Sequence, residues 1–194
     1  MAVNLKKGEK VNLSKCDKKL KRILVGLRWR ESPSFKGPPV DCDAFAILLN
    51  KDKKLMSGND IVYHANLEHS SKSVLHGGDN VKGSNTASDC EQIFVELSKI
   101  PQHIHFIVFA VSIYQAEEKK QDFGIVEGAR VQVLNAESNE TLCIYDLTDS
   151  YSKMTSVIVS ELYRAGDGWC FHAVGQGTCD KGIGDVFRRY RQIF

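Results

Sequence analysis

Val40-Asp41-Cys42-Asp43-Ala44-Phe45-Ala46-Ile47-Leu48-Leu49 places two aspartates immediately ahead of a short apolar run. A run of this length is far too short to cross a bilayer and suits a strand buried in a globular core. Asn59-Asp60 stands ahead of Ile61 to His64, and Ser88-Asp89-Cys90-Glu91 ahead of Ile93 to Leu97. Between them lies Gly78-Asp79-Asn80, with Gly83 following. Carboxylates at the edges of hydrophobic runs fall on loops at strand ends, where several can converge on one hard cation. Calcium takes six to eight oxygens, and the backbone carbonyls of a Gly-rich turn count among them. The pattern is that of a calcium site on a β scaffold. It does not fit an EF-hand, because Val81 stands where that loop requires an oxygen.

Working outward, further strand candidates follow at short intervals: Ile23 to Trp29, Phe106 to Ile113, Ala129 to Leu134, Thr141 to Tyr145, Val157 to Tyr163 and Trp169 to Val174. Their β-branched and aromatic content, and the Gly, Asn, Asp and Pro residues between them, predict an all-β chain folded as a two-sheet β-sandwich. Val3-Asn4-Leu5 and Val11-Asn12-Leu13 flank Gly8 and read as a hairpin. Three of the four prolines fall between Glu31 and Pro39, which is a loop. Short helices are confined to the periphery. At the carboxyl end, Asp185 is placed to cap a helix carrying Val186, Phe187, Tyr190, Ile193 and Phe194 on one face. Gly175-Gln176-Gly177 ahead of it reads as a flexible loop, lacking the Gly-Lys-Ser/Thr ending of a phosphate loop. Residues 1–194 are read as one domain.

The 194 residues are 42% hydrophobic and carry a net charge of +2. That charge is uneven: residues 1–40 hold eleven Lys/Arg against three Asp/Glu, and residues 41–91 five against eight. The basic residues Lys15, Lys18, Lys19, Lys21 and Arg22 lie in a short polar connector without the interleaved aromatics of a single-strand binder, so no specific nucleic acid is expected. No long apolar segment and no secretory signal is visible, which predicts a cytoplasmic protein with no transmembrane segment. Six cysteines without Cys-x-x-Cys spacing read as free thiols. Cys42, between two aspartates in an extended strand, points away from both. The histidines between His64 and His105 read as satisfied or solvated, and no Ser, His and Asp set can be argued from spacing.

Several ordered blocks resemble the TerD family of tellurium-resistance and bacterial stress proteins. They are Val11-Asn12-Leu13-Ser14-Lys15, Val25-Gly26-Leu27-Arg28-Trp29, Asp41-Cys42-Asp43-Ala44, His76-Gly77-Gly78-Asp79-Asn80-Val81-Lys82-Gly83, Phe123-Gly124-Ile125-Val126, Glu161-Leu162-Tyr163-Arg164 and Gly168-Trp169 through Ala173-Val174-Gly175-Gln176-Gly177. The resemblance implies a β-sandwich that binds Ca2+ through acidic loops, has no established catalytic activity and serves the stress response, including tellurite resistance. Carried over by position, it implies metal ligation by Asp41, Asp43, Asp60, Asn66, Asp79, Asn80, Gly83, Asp89 and Glu91. Two departures stand out. The family's Gly-Asp-Asp-Glu turn reads Ser88-Asp89-Cys90-Glu91 here, and Phe45 replaces a small hydroxyl residue. The first removes a charged ligand, and calcium affinity falls with ligand charge.

The expectation is a calcium-binding stress-response protein that acts by binding and not as an enzyme. Its partners are calcium ions and as yet unidentified proteins, with other proteins of a stress complex as candidates. The alternative is an interaction scaffold with a decayed metal site, presenting its basic amino-terminal face or its carboxyl-terminal helix.

Overall fold

The computed structural model describes residues 2–78, 91–166 and 168–191. Two six-stranded sheets pack face to face. The first runs β1 (Val3–Leu5), β10 (Thr141–Asp146), β9 (Val126–Asn135), β3 (Arg22–Glu31), β7 (Glu91–Glu96), β6 (Val74–His76). The second runs β2 (Lys10–Asn12), β12 (Gly168–Thr178), β11 (Ser156–Ala165), β8 (Phe106–Ile113), β4 (Cys42–Leu49), β5 (Ile61–Val62). Three short helices sit outside the sheets: α1 (Leu13–Cys16), α2 (Ala116–Lys119) and α3 (Ile183–Tyr190). The β-sandwich with peripheral helices expected from the strand pattern is what forms.

The quoted run is apolar throughout because β4 is covered on both faces. Ala44, Ala46 and Leu48 enter the inter-sheet core with Ile23, Val25 and Phe109. Phe45, Ile47 and Leu49 point the other way, into a second cluster closed by α3. There Phe187 meets Phe45 edge to face at 6.1 Å, a favourable aromatic geometry. β7, with one face outward, instead alternates Ile93 and Val95 inside against Gln92 and Phe94.

Four expectations need correction. The opening hairpin does not form: β1 pairs in parallel with β10, whereas β2 pairs with β12 in the other sheet. The turn at Gly8, φ +84, carries the chain between layers, and its N–H donates to the Ala173 carbonyl at 2.7 Å. Leu13 is helical and not the end of a strand, because the Asn12 side chain accepts from Lys15 N at 2.9 Å and caps α1. Gly175-Gln176-Gly177 is strand, not loop. Ile158 pairs with Gln176 and Ser160 with Ala173, so Val159 faces both Val174 and Gly175 in a β-bulge. Finally, Asp185 lies in the first turn of α3, with Gly182 at the cap. Ile193 and Phe194 lie outside the described residues.

α3 is fastened by Asp180. The carboxylate accepts from Thr178 Oγ1 at 2.8 Å and pairs with Arg189 through Nε and through Nη2 at 3.0 Å. Burial acts to raise its pKa, but the Arg189 and Thr178 hydrogen bonds outweigh that and hold the carboxyl below its ordinary value. A depressed folded pKa contributes stability above the unfolded value, lost as pH falls through the folded one. Asp180→Asn is therefore expected to cost about 1 kcal/mol near neutral pH. The difference from the parent should shrink towards zero near pH 2 in urea unfolding. A gap that stays constant with pH would show that the charge is irrelevant.

Candidate functional site

The acids singled out from the sequence sit at strand ends, and each described carboxylate among Asp43, Asp60 and Glu91 meets a histidine. Asp43, 8% exposed, is the second residue of β4, opposite Ser112, and lies 3.2 Å from His64 Nδ1. Glu91, 1% exposed, opens β7 on its inward face and lies 3.3 Å from His76 Nε2. The same His76 nitrogen stands 3.0 Å from the Ala44 carbonyl, next in sequence to Asp43. One imidazole edge thus lies between a carbonyl of β4 and a carboxylate of β7, tying the two sheets together. A donor group between two hard oxygens occupies the kind of position a cation takes.

Asp60 belongs elsewhere. It ends a 3-10 turn capped by Ser57 and lies 3.2 Å from His69 Nε2. His69 Nδ1 is 2.7 Å from Ser71 Oγ, which bonds Ser73 Oγ at 2.7 Å. The pairing of Ile47 with Ile61 puts Asp60 beside Leu48. Leu48 is five residues from Asp43, about 16 Å along the strand. Asn66 turns its amide onto the Ile61 carbonyl at 2.6 Å, closing the turn between Tyr63 and Asn66. Asp41 accepts from Tyr114 N through its backbone carbonyl at 2.8 Å. Asp79, Asn80, Gly83 and Asp89 lie outside the described residues, as does Cys90. Among the described residues no group of three or more His, Cys, Asp and Glu is gathered closely enough to hold a metal. Cys42 is fully buried in the inter-sheet core.

Asp43 also faces an open groove of about 560 Å3 between β4, α2 and the start of α3. Tyr63, His64 and Phe187 supply aromatic surface, and Glu117 and Glu118 add carboxylates. Lys181 crosses the groove to Glu117 at 2.9 Å. The sequence reading missed the role of His64, His69 and His76. Their common signal is position: all three lie in the segment that leaves the edge of one sheet at β5 and joins the edge of the other at β6, where they meet Asp43, Asp60 and Glu91.

The TerD domain family model matches residues 1–190. The chain belongs to the TerD family. Stress response protein SCP2 of Bacillus subtilis is 37% identical over 98% of the chain and 100% of its own length. Tellurium resistance protein TerD of Serratia marcescens is 37% identical over 98% and 97%. The crystal structure of a homologue of telluride resistance protein (TerD) from Streptomyces coelicolor shares the fold with a TM-score of 0.63. It is 21% identical and covers 83% of this chain and 92% of its own. The TerD chain described here is accordingly a member of a family of tellurium-resistance and stress-response proteins. Among its described residues no helix is long and apolar enough to cross a membrane.

Proposed function

We propose that this TerD protein is a cytoplasmic calcium-binding stress-response protein that acts by binding partners and not by catalysis. The observation that carries the reading is the placement of buried Glu91 and the Ala44 carbonyl on one His76 edge, with Asp43 adjacent in sequence. These are hard oxygen donors from two different sheets, suited to calcium in kind. Residues 79–90 run directly into Glu91, and they contain the carboxylates Asp79 and Asp89. Glu91 and the Ala44 carbonyl would hold the ion with donors from that segment, while Asp43, on the α3 side of β4, would serve a separate position. Bound calcium would supply charge neutralisation and would order the loops at this end of the sandwich. Asp60 and Asn66, engaged in turns of their own, would act through a second position or only through the turn.

Calorimetric titration with calcium tests this. Saturable heat is expected, with a rise in melting temperature equivalent to about 2.7 kcal/mol at a hundredfold excess over Kd. No heat and an unchanged melting temperature would sink the reading and favour a scaffold whose metal site has decayed. Glu91→Gln should weaken binding by about tenfold or more through lost ligand charge. Asp60→Asn should do less if Asp60 only closes its turn.

A further inference from the structure

Beyond the apolar patch that α3 covers, the outer face of the second sheet carries a row of polar residues. Asp43 pairs with Ser112, Ser112 with Ser156 and Ser156 with Thr178, so the row crosses β4, β8, β11 and β12. Two of its hydroxyls are engaged: Ser156 donates to the Asp180 carbonyl at 3.0 Å, and Thr178 to the Asp180 carboxylate at 2.8 Å. Ser112 differs. It is 1% exposed and lines the groove beside Asp43, yet among the described residues its hydroxyl has no hydrogen-bond partner. Buried side-chain polar groups nearly always have one. The sheet side of the groove therefore presents an unused hydroxyl next to a carboxylate that is itself only 8% exposed. His64 lies against one oxygen of that carboxylate, and an ionised carboxylate accepts at about four positions, so Asp43 can take a further donor.

The groove already accommodates ammonium groups of the chain itself. Lys181 reaches Glu117 at 2.9 Å, and at the rim Lys119 lies 5.0 Å from the centroid of the Tyr114 ring. Glu118, which also lines the groove, has no ion pair among the described residues. Tyr63 and Phe187 meet at 6.2 Å and form an aromatic side. Carboxylates, a hydroxyl and ring faces together suit ammonium groups, through charge-assisted hydrogen bonds and cation–π attraction. The amino end of α3 borders the groove but carries its own acid, since Asp185 accepts from Lys181 N at 3.0 Å. The volume of about 560 Å3 falls in the range of small-molecule sites.

We propose that this groove is a binding site for an aliphatic diamine. One ammonium sits against Asp43 and Ser112, the second meets Glu118, and the methylene chain lies along Tyr63 and Phe187. Asp43, on the α3 side of β4, thereby has a ligand of its own. The site uses neither Glu91 nor the Ala44 carbonyl, and it stands whether or not calcium binds there.

Isothermal titration in calcium-free buffer at constant ionic strength tests this, with putrescine as probe and n-butylamine as its counterpart lacking the second ammonium. Putrescine should bind saturably at one site, and butylamine about tenfold more weakly. Glu118→Gln, an exposed change, should bring putrescine down to the butylamine affinity. Asp43→Asn should weaken both amines by about tenfold or more. Should that variant fail to fold, Ser112→Ala is read in its place and should weaken both. Magnesium at the same concentration should not displace putrescine. No saturable heat with putrescine, displacement by magnesium, or unchanged binding in the Asp43 or Ser112 variant overturns the proposal. Equal affinity for the two amines overturns the role of the second ammonium.

Discussion

Gly175→Val should be among the most damaging single substitutions in the molecule, lowering stability by about 3–5 kcal/mol. Gly175 sits at φ +59 in the bulge of β12, and a Cβ there would fall 2.1 Å from Tyr145 Oη and 2.9 Å from Tyr151 Oη. Neither ring can move aside freely, since Tyr145 is 2% and Tyr151 9% exposed. Tyr151 also donates to the Gly175 carbonyl at 3.2 Å. Burial pushes the hydroxyls of both tyrosines to higher pKa, so both stay protonated across the working range and the contact is one of volume, not charge. Gly8 is the control. Its φ is +84 but nothing lies within 4 Å of an added Cβ, so Gly8→Ala should cost only backbone strain, about 1–2 kcal/mol. Equal losses for Gly175→Ala and Gly8→Ala in urea unfolding would show that the tyrosines do not confine the bulge.

The second large effect is at His76. His76→Leu removes the imidazole between the Ala44 carbonyl and Glu91, whose side chain is 1% exposed. Removing the imidazole takes a donor from a buried carboxylate and is expected to cost about 3 kcal/mol in EDTA. Calcium separates two accounts of Glu91. If its carboxylate is a ligand, saturating calcium compensates its charge and most of the loss disappears. If it is only structural, the variant melts equally far below the parent with and without calcium. The second outcome would remove Glu91 from the calcium site and leave the stability result standing.

Much of the sandwich was legible because hydrophobic alternation and continuous runs report directly on which faces are covered. β8 was read to the residue, and β3, β9, β11 and β12 were found but drawn short, since their ends carry Arg, Glu and Gly at bulges and edges. β6 left no trace: with only Val74-Leu75-His76 it is too short for any period to show. Glycine misled the reading at Gly175 for a physical reason. Local sequence reports a residue's freedom, whereas this glycine is required by tyrosines that arrive from distant positions. The opening hairpin failed similarly, since nothing between Leu5 and Lys10 tells whether two strands pair with each other or with separate sheets. At the candidate site, residue type was informative and convergence was not. Buried acids at strand ends were foreseeable, but the separation of Asp60 from Asp43 follows from β4–β5 register, and the histidine partners from a crossing between sheets.

The routing of β1 and β2 bears on how the chain is made. Val3 pairs with Cys143 and Asn12 with Cys170, so β1 and β2 wait for partners synthesised 140 and 158 residues later. Until then β1 and β2 each lack a neighbour, and an unpaired strand edge invites association with other chains. Long-range pairing of this kind also slows folding. Nascent chains stalled before residue 170 should therefore leave β2 open to protease and prone to self-association, and synthesis through β12 should close the edge.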